Sequence, residues 1–171
     1  MKRRELLVLR HAKSAWDTDA PADFDRPLSL RGLRASKRMG RYIADTGLVP
    51  DAIVCSTATR AVQTVLGVAQ SARFTLQTVR FEGAIYEAGL STLLDVLGNC
   101  DPDANRTMIV GHNPGLEYLL DHLAGGVPIP GDGKLMPTAA LARLDLPGDW
   151  RRLDRGQGKL LGLTRVRDLD D

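Results

Sequence analysis

The chain is poor in several things, and each shortage excludes something. Cys55 and Cys100 are the only cysteines in 171 residues, too few for a disulfide framework or a four-ligand zinc site. Aromatic residues make up 5%, so the stacking platforms that hold single-stranded nucleic acid are not expected. Neither sign of charge prevails: 23 Lys and Arg against 21 Asp and Glu leave a formal net charge of +2, without the strong basic footprint of a nucleic-acid-binding domain. No apolar run is long enough to span a membrane. Met1-Lys2-Arg3-Arg4 is basic, but the apolar run behind it ends at Leu9, too short for the core of a secretory leader. These absences predict a cytoplasmic chain with neither nucleic acid nor membrane as partner. Its length fits a single domain, 1–171, able to bury a real core.

What is present is an alternation of short apolar runs and helical patterns, the signature of an α/β domain. Strands are predicted at Glu5 to Leu9, Ala52 to Cys55, Val79 to Phe81 and Thr107 to Val110. A helix starts near Ser29, with Ala35, Met39 and Ile43 on one face, and stops at Gly47. A second runs from Thr59 to Gln70 with Val62, Val65, Leu66 and Ala69 inward. Ser91 reads as the N-cap of a third, carrying Leu94 and Leu97. A fourth is capped by Asn113, has Pro114 in its first turn, buries Leu116, Leu119, Leu120 and Leu123, and ends at Gly125-Gly126. Thr138 to Leu146 and Lys159 to Val166 read as an antiparallel pair at the edge of a mostly parallel sheet.

The chemistry concentrates where strands end. Leu6-Leu7-Val8-Leu9 runs straight into Arg10-His11, and Met108-Ile109-Val110 into Gly111-His112. Ligands of α/β sheets bind beyond the carboxyl ends of strands, so two histidines and an arginine fall where reactions are usually carried out. A neutral imidazole attacks phosphorus well, and the phosphohistidine it forms is reactive enough to be hydrolysed. Arginine matches phosphate oxygens with a planar fork. Adjacent strand residues point to opposite faces, so the chain must turn for Arg10 and His11 to share a pocket. Arg60 lies in the first turn of the second helix, where a cation opposes the helix dipole and an anion is favoured. His112, at the next strand-to-helix junction, is placed to donate to a phosphoryl oxygen as charge builds. His122 lies mid-helix and is given no role.

Three blocks then appear in order: Leu9-Arg10-His11-Ala12-Lys13-Ser14, Ser56-Thr57-Ala58-Thr59-Arg60-Ala61-Val62-Gln63-Thr64, and Val110-Gly111-His112-Asn113-Pro114. Together they resemble the histidine phosphatase superfamily, the group of phosphoglycerate mutases and acid phosphatases. Asp25-Arg26-Pro27-Leu28, Arg31-Gly32, Tyr86-Glu87-Ala88 and Pro137-Thr138-Ala139-Ala140 resemble its small SixA branch, the phosphohistidine phosphatases. The resemblance implies a three-layer α/β/α sandwich around a central mixed, mostly parallel sheet, phosphoglycerate mutase-like. It implies a metal-independent, cofactor-free hydrolase that dephosphorylates phosphohistidine on proteins through a phosphorylated His11. Arg10, Arg60 and His112 would form the phosphate pocket, able to take phosphate or sulfate, with Ser14 and Asn113 as further substrate-binding candidates. Partners would be a phosphohistidine-bearing carrier protein or a small phosphorylated substrate. Mutase-like members have glycine after the nucleophilic histidine, where this chain has Ala12, and carry a clear acidic motif. Here Glu87 is the acid candidate by position, with a plain loop carboxylate at the mouth of the site as the equal alternative.

Two other readings compete. The same pocket could serve a small-metabolite phosphomonoesterase or, with catalysis lost, a phosphate-binding module. Cys100 to Thr107 also fits the Cys-x5-Arg-Thr spacing of cysteine phosphatases. That match is accidental on chemical grounds: its loop carries Asp101 and Asp103, lacks glycine, and leads into a strand where a helix N-terminus is needed.

Overall fold

The computed structural model describes residues 2–170; Met1, where the basic opening run begins, and Asp171 lie outside them. Among the described residues, six strands form one sheet. They are β1 (Arg3–Arg10), β2 (Ala52–Cys55), β3 (Val79–Phe81), β4 (Arg106–Gly111), β5 (Leu141–Pro147) and β6 (Lys159–Thr164). Their order is β3-β2-β4-β1-β5-β6. The first four run parallel, and β5 and β6 are antiparallel additions at one edge, as the sequence predicts.

Four α-helices flank the sheet: α1 (Leu30–Asp45), α2 (Thr59–Ala72), α3 (Leu90–Gly98) and α4 (Gly115–Ala124). The pleat of β1 divides the core between them. Leu7 and Leu9 pack with Met39 and Ile43 of α1 and Val65 and Val68 of α2. Leu6 and Val8 pack with Leu93 and Leu97 of α3 and Leu116 and Leu119 of α4. Burial on both faces is why β1 reads as an unbroken apolar run rather than an alternating one. The result is the α/β/α sandwich expected. No helix among the described residues is long and apolar enough to cross a membrane.

Several local expectations need correction. On α2 the buried stripe is Arg60, Ala61, Thr64, Val65, Gly67, Val68, Ala69 and Ala72; Val65 and Ala69 face inward as expected, while Leu66 is 41% exposed and Val62 only half-buried. Apolar spacing misleads there because the inward face carries polar and small residues. Gly67 lies against Ser36 of α1, where a Cβ would fall 2.1 Å from the Ser36 Oγ. The N-cap of α3 is Gly89, and Ser91 is exposed in its first turn. Asn113 does not cap α4. The cap position is Pro114, reached through a cis peptide bond, and the Asn113 side chain spends its amide elsewhere. β5 begins at Leu141 rather than Thr138, because the Ala140 amide turns back to the Pro137 carbonyl and Ala139 takes a φ of 61°. β6 ends at Thr164, before a 3₁₀ turn at Val166–Asp168.

One close contact ties the loop after β1 to α1. Ser29 caps the helix by accepting from the Gly32 amide (3.1 Å), and its own amide and hydroxyl donate to the Lys13 carbonyl at 2.9 and 3.0 Å. A Cβ on Gly32 would lie 2.1 Å from that same carbonyl oxygen. Gly32→Ala should therefore destabilise the fold by about 1–3 kcal/mol, against the gain of about 1 kcal/mol that alanine normally brings to a helix interior. Urea unfolding of the two proteins measures this, and equal or higher stability of the variant would show that the Lys13 loop yields freely.

Candidate active site

The parallel pairing of β1 with β4 sets Arg10 opposite Gly111, so the next residue on each strand is a histidine and the two lie side by side. The His11 amide donates to the Gly111 carbonyl (3.0 Å), and the imidazole centroids are 5.1 Å apart. The chain leaves the sheet at this point. The Ala12 amide donates to Thr64 Oγ1 (2.9 Å), and the Thr64 hydroxyl donates to the Arg60 carbonyl (2.6 Å). Ala139 donates its amide to the His11 carbonyl at 3.1 Å. Ala12 is fully buried against Leu28 and Ala139.

His11 Nδ1 lies 2.7 Å from the Ala12 carbonyl oxygen. A carbonyl only accepts, so Nδ1 carries the proton and Nε2 keeps its lone pair. Burial, helped by the charges of His112, Arg10 and Arg60, pushes the His11 pKa down to about 3. Burial likewise lowers His112 to about 4. Both rings are thus neutral near pH 7. His112 Nε2 meets Ser56 Oγ at 2.7 Å, leaving its buried Nδ1 without a partner among the described residues.

Arg10 donates Nη1 to the Met136 carbonyl (2.9 Å), and its buried Nε has no partner among the described residues. Arg60 is buried, with Nη1 on the Asp23 carbonyl (2.8 Å) and Nη2 on an Asp23 carboxylate oxygen (3.1 Å). Asp23 also accepts from Tyr86 (2.8 Å) and Arg26 (2.8 Å). These bonds, Tyr86 first, lower its pKa to about 2. Tyr86 in turn stands edge-on to His112, with centroids 5.5 Å apart. Unpaired buried donors cost about 1–3 kcal/mol each, and here two such groups, on Arg10 and His112, lie in a cluster with a neutral His11.

A cavity of about 460 Å³ opens on the His112 and Arg60 side of this cluster, lined among others by Asp23, Arg60, Tyr86, Glu87, His112 and Asn113; His11 and Arg10 are not among its walls. Glu87 is exposed and sits at a φ of 56°, a left-handed conformation that costs a non-glycine residue roughly 1 kcal/mol. The structure thus brings His11, Arg10, Arg60 and His112 together with Glu87 near the mouth. Ser14 and Asn113 are committed inward. Ser14 Oγ accepts from Arg26 (2.6 Å), and Asn113 donates to the Met136 carbonyl (2.8 Å) and Glu117 (3.0 Å).

Sequence reasoning missed the supports. Thr64 and Tyr86 stood in quoted motifs without a role. Glu117, which also accepts from the Met136 amide (3.0 Å), lies on a helix face that reads as ordinary surface. Asp23 is one of several loop carboxylates with nothing to mark it. The cysteine alternative fails structurally as well. Arg106 opens β4 at the far end of the sheet, paired to Glu5 at 2.8 Å, and burial raises the Cys100 pKa.

The depressed histidine pKa values predict a pH profile. An unfolded chain protonates its histidines below about pH 6.5, whereas folded His11 and His112 resist protonation until about 3 and 4. Between those limits the unfolded state binds more protons. Stability therefore falls as pH drops from about 6.5, by up to about 1.4 kcal/mol per pH unit for each ring, and levels off below the folded values. NMR titration of the free protein should find both rings neutral at pH 5. A His11 midpoint above pH 6 would refute the burial argument.

Residues 6–89 match the model of the histidine phosphatase superfamily (branch 1). An uncharacterised Mycobacterium tuberculosis protein is 31% identical over 159 residues, covering 90% of this chain and 97% of that one. The SixA structure from Nakamurella multipartitia superposes with a TM-score of 0.80 at 27% identity, covering 96% and 97% of the two chains. The Agrobacterium tumefaciens SixA structure gives 0.77 at 27%, covering 95% and 98%. With its two strand-end histidines and two arginines in the order and geometry just described, the chain belongs to the histidine phosphatase superfamily, in its SixA-type branch.

Proposed function

We propose that this protein is a metal-independent phosphatase that hydrolyses phosphohistidine on proteins through a phosphorylated His11. The observation that carries the proposal is the His11 Nδ1 contact to the Ala12 carbonyl at 2.7 Å, which fixes the tautomer with Nε2 free. In the first step the Nε2 lone pair forms a bond to phosphorus as the bond to the substrate's imidazole nitrogen breaks. Arg10 and Arg60 take the phosphoryl oxygens, and His112 donates through Nδ1. Water then attacks the phosphorus on His11, releasing inorganic phosphate and restoring the neutral ring. Ser14 and Asn113 act at one remove, holding Arg26 and the Met136 carbonyl that receives Arg10.

The substrate class follows from the leaving group. An alkoxide needs a proton in the transition state. An imidazole, with an unperturbed pKa of roughly 6.5, can carry a proton on its other nitrogen near neutrality and then leaves as the neutral ring. A mouth lined by exposed Glu87, Gly89 and Tyr118 suits a substrate presented on a protein surface. The Nakamurella and Agrobacterium structures, provisionally assigned as SixA phosphohistidine phosphatases, support the same reading.

His11→Ala should abolish turnover of an aryl phosphate, and a chelator should leave the wild type unaffected. Radiolabelled phosphate should be trapped on the denatured wild type at an acid-labile, base-stable site. A phosphohistidine carrier domain should be preferred over a panel of sugar and nucleotide phosphates at equal concentration. Preference for the panel would overturn the substrate assignment, and chelator inhibition the metal-free chemistry.

Glu87 generates a separate prediction. As general acid it contributes about 10²–10⁴-fold, most for basic leaving groups. Glu87→Gln should cost most on an alkyl phosphate, less on an activated aryl phosphate and least on phosphohistidine. A uniform loss would make it a binding residue, and no loss a plain loop carboxylate.

A further inference from the structure

Arg10 is placed by a segment that has no regular structure of its own. Between α4 and β5 the chain runs from Gly125 to Ala140 without helix or strand. Yet the carbonyl that receives Arg10 Nη1 at 2.9 Å comes from within it, from Met136. The Met136 side chain is fully buried and packs into the core beside Leu116 and Leu119 of α4. Its backbone groups have no ladder to satisfy them there, so other partners must.

The partner is Glu117, on α4. Its Oε1 accepts from the Met136 amide at 3.0 Å and from Asn113 Nδ2, also at 3.0 Å. Asn113 Nδ2 donates its other hydrogen to the Met136 carbonyl at 2.8 Å. The three residues close a ring: from carboxylate to amide, along Met136 to its carbonyl, and back through the Asn113 side chain. An amide NH₂ has two hydrogens and a carbonyl oxygen two lone pairs. Asn113 therefore spends both hydrogens inside the ring, and the Met136 carbonyl divides its lone pairs between Asn113 and Arg10. Without the carboxylate, the Met136 amide and one Asn113 hydrogen lose their acceptor together, and the carbonyl loses the bond that aims it at Arg10. Glu117 is half-buried and makes no direct ion pair among the described residues. Burial pushes the Arg10 pKa below its ordinary value, and the Glu117 charge opposes that shift.

We propose that Glu117 is a positioning residue for Arg10: through the ring with Met136 and Asn113 it fixes which Arg10 nitrogen the chain takes, and leaves Nε to an oxyanion. This rests on Arg10 being a phosphate ligand, and names what sets it in place. Nη1 is anchored to the ring, while the buried Nε has no acceptor among the described residues. A guanidinium held at one nitrogen gives up less freedom when an anion arrives than one swinging from a surface.

The test is a double-mutant cycle on the binding of inorganic phosphate, read by calorimetry on the whole chain. Glu117→Ala should weaken binding about tenfold, the size of one misplaced hydrogen bond to a charged group. Glu117→Gln keeps an acceptor oxygen for the same two donors and should recover most of the loss. In Arg10→Ala protein, Glu117→Ala should cost no more than about twofold, because nothing is left for it to place. A role in stability alone would weaken binding by the same factor in both backgrounds. Glu117→Met, which fills the same space without an acceptor, repeats the cycle if the alanine variant does not fold. Equal losses with and without Arg10, or undiminished phosphate binding by the folded alanine or methionine variant, would overturn the proposal. Phosphate binding requires no turnover, so the outcome is separate from the phosphatase reading: failure to trap label on His11 would refute that reading alone.

Discussion

Everything at the candidate site depends on one register: β1 and β4 pair in parallel with Arg10 opposite Gly111. Parallel strands bring equivalent ends together, so the residue that leaves each strand leaves it at the same height. Two histidines a hundred residues apart in the chain are thereby set with their rings 5.1 Å apart. A slip of one residue would turn every side chain of β1 to the other face, placing Leu7 and Leu9 against α3 and α4 instead of α1 and α2. Core packing on two faces thus enforces the register, and the register positions the chemistry. Gly111 belongs to the same constraint, since a Cβ there would come within 2.9 Å of Ile85.

Within that frame, burial does the electronic tuning. Two imidazoles beside two guanidiniums would be expected to repel protons, and burial adds to the effect in the same direction. The outcome is a pair of neutral rings, one with its lone pair aimed outward by a carbonyl on Nδ1. A charged His11 would be a poor nucleophile, so the interaction that makes the ring costly to protonate also makes it reactive. The Ala12 carbonyl that fixes the tautomer is itself held, because the Ala12 amide is bonded to Thr64 and Thr64 to the backbone of Arg60. His11 and Arg60 are therefore parts of one hydrogen-bonded unit spanning β1 and α2.

Much of this was legible in the sequence, for physical reasons. The strands are short, apolar and bounded by turns, and the histidines and arginines sit at strand ends and a helix start, positions with few alternatives. The supports were not legible. Asp23, Arg26 and Glu117 act through contacts over long separations, and no local pattern distinguishes a carboxylate that meets Arg60 from one that meets water. The inward face of α2 misled because Arg60, Thr64 and Gly67 displace the apolar residues from the stripe that a hydrophobic period tracks. Caps failed where the donor and acceptor roles were reversed. Asn113 has an acceptor to offer a helix start, yet its amide is drawn off by the Met136 carbonyl and Glu117.

Two buried arginines share a further device: one carboxylate rests on each. Asp23 holds Arg60 at 3.1 Å and Asp132 holds Arg165 at 2.6 Å. A lone guanidinium among other cations is expensive to bury, and a single negative charge makes it tolerable in the free chain. That charge is weak competition for a phosphate group, which brings up to two charges and three acceptor oxygens to the same fork. Asp23 is half exposed, yet Arg60, Arg26 and Tyr86 all donate to its carboxylate. Asp132 is likewise shared by Arg165 and Arg167, so each carboxylate is held by more than the arginine it offsets.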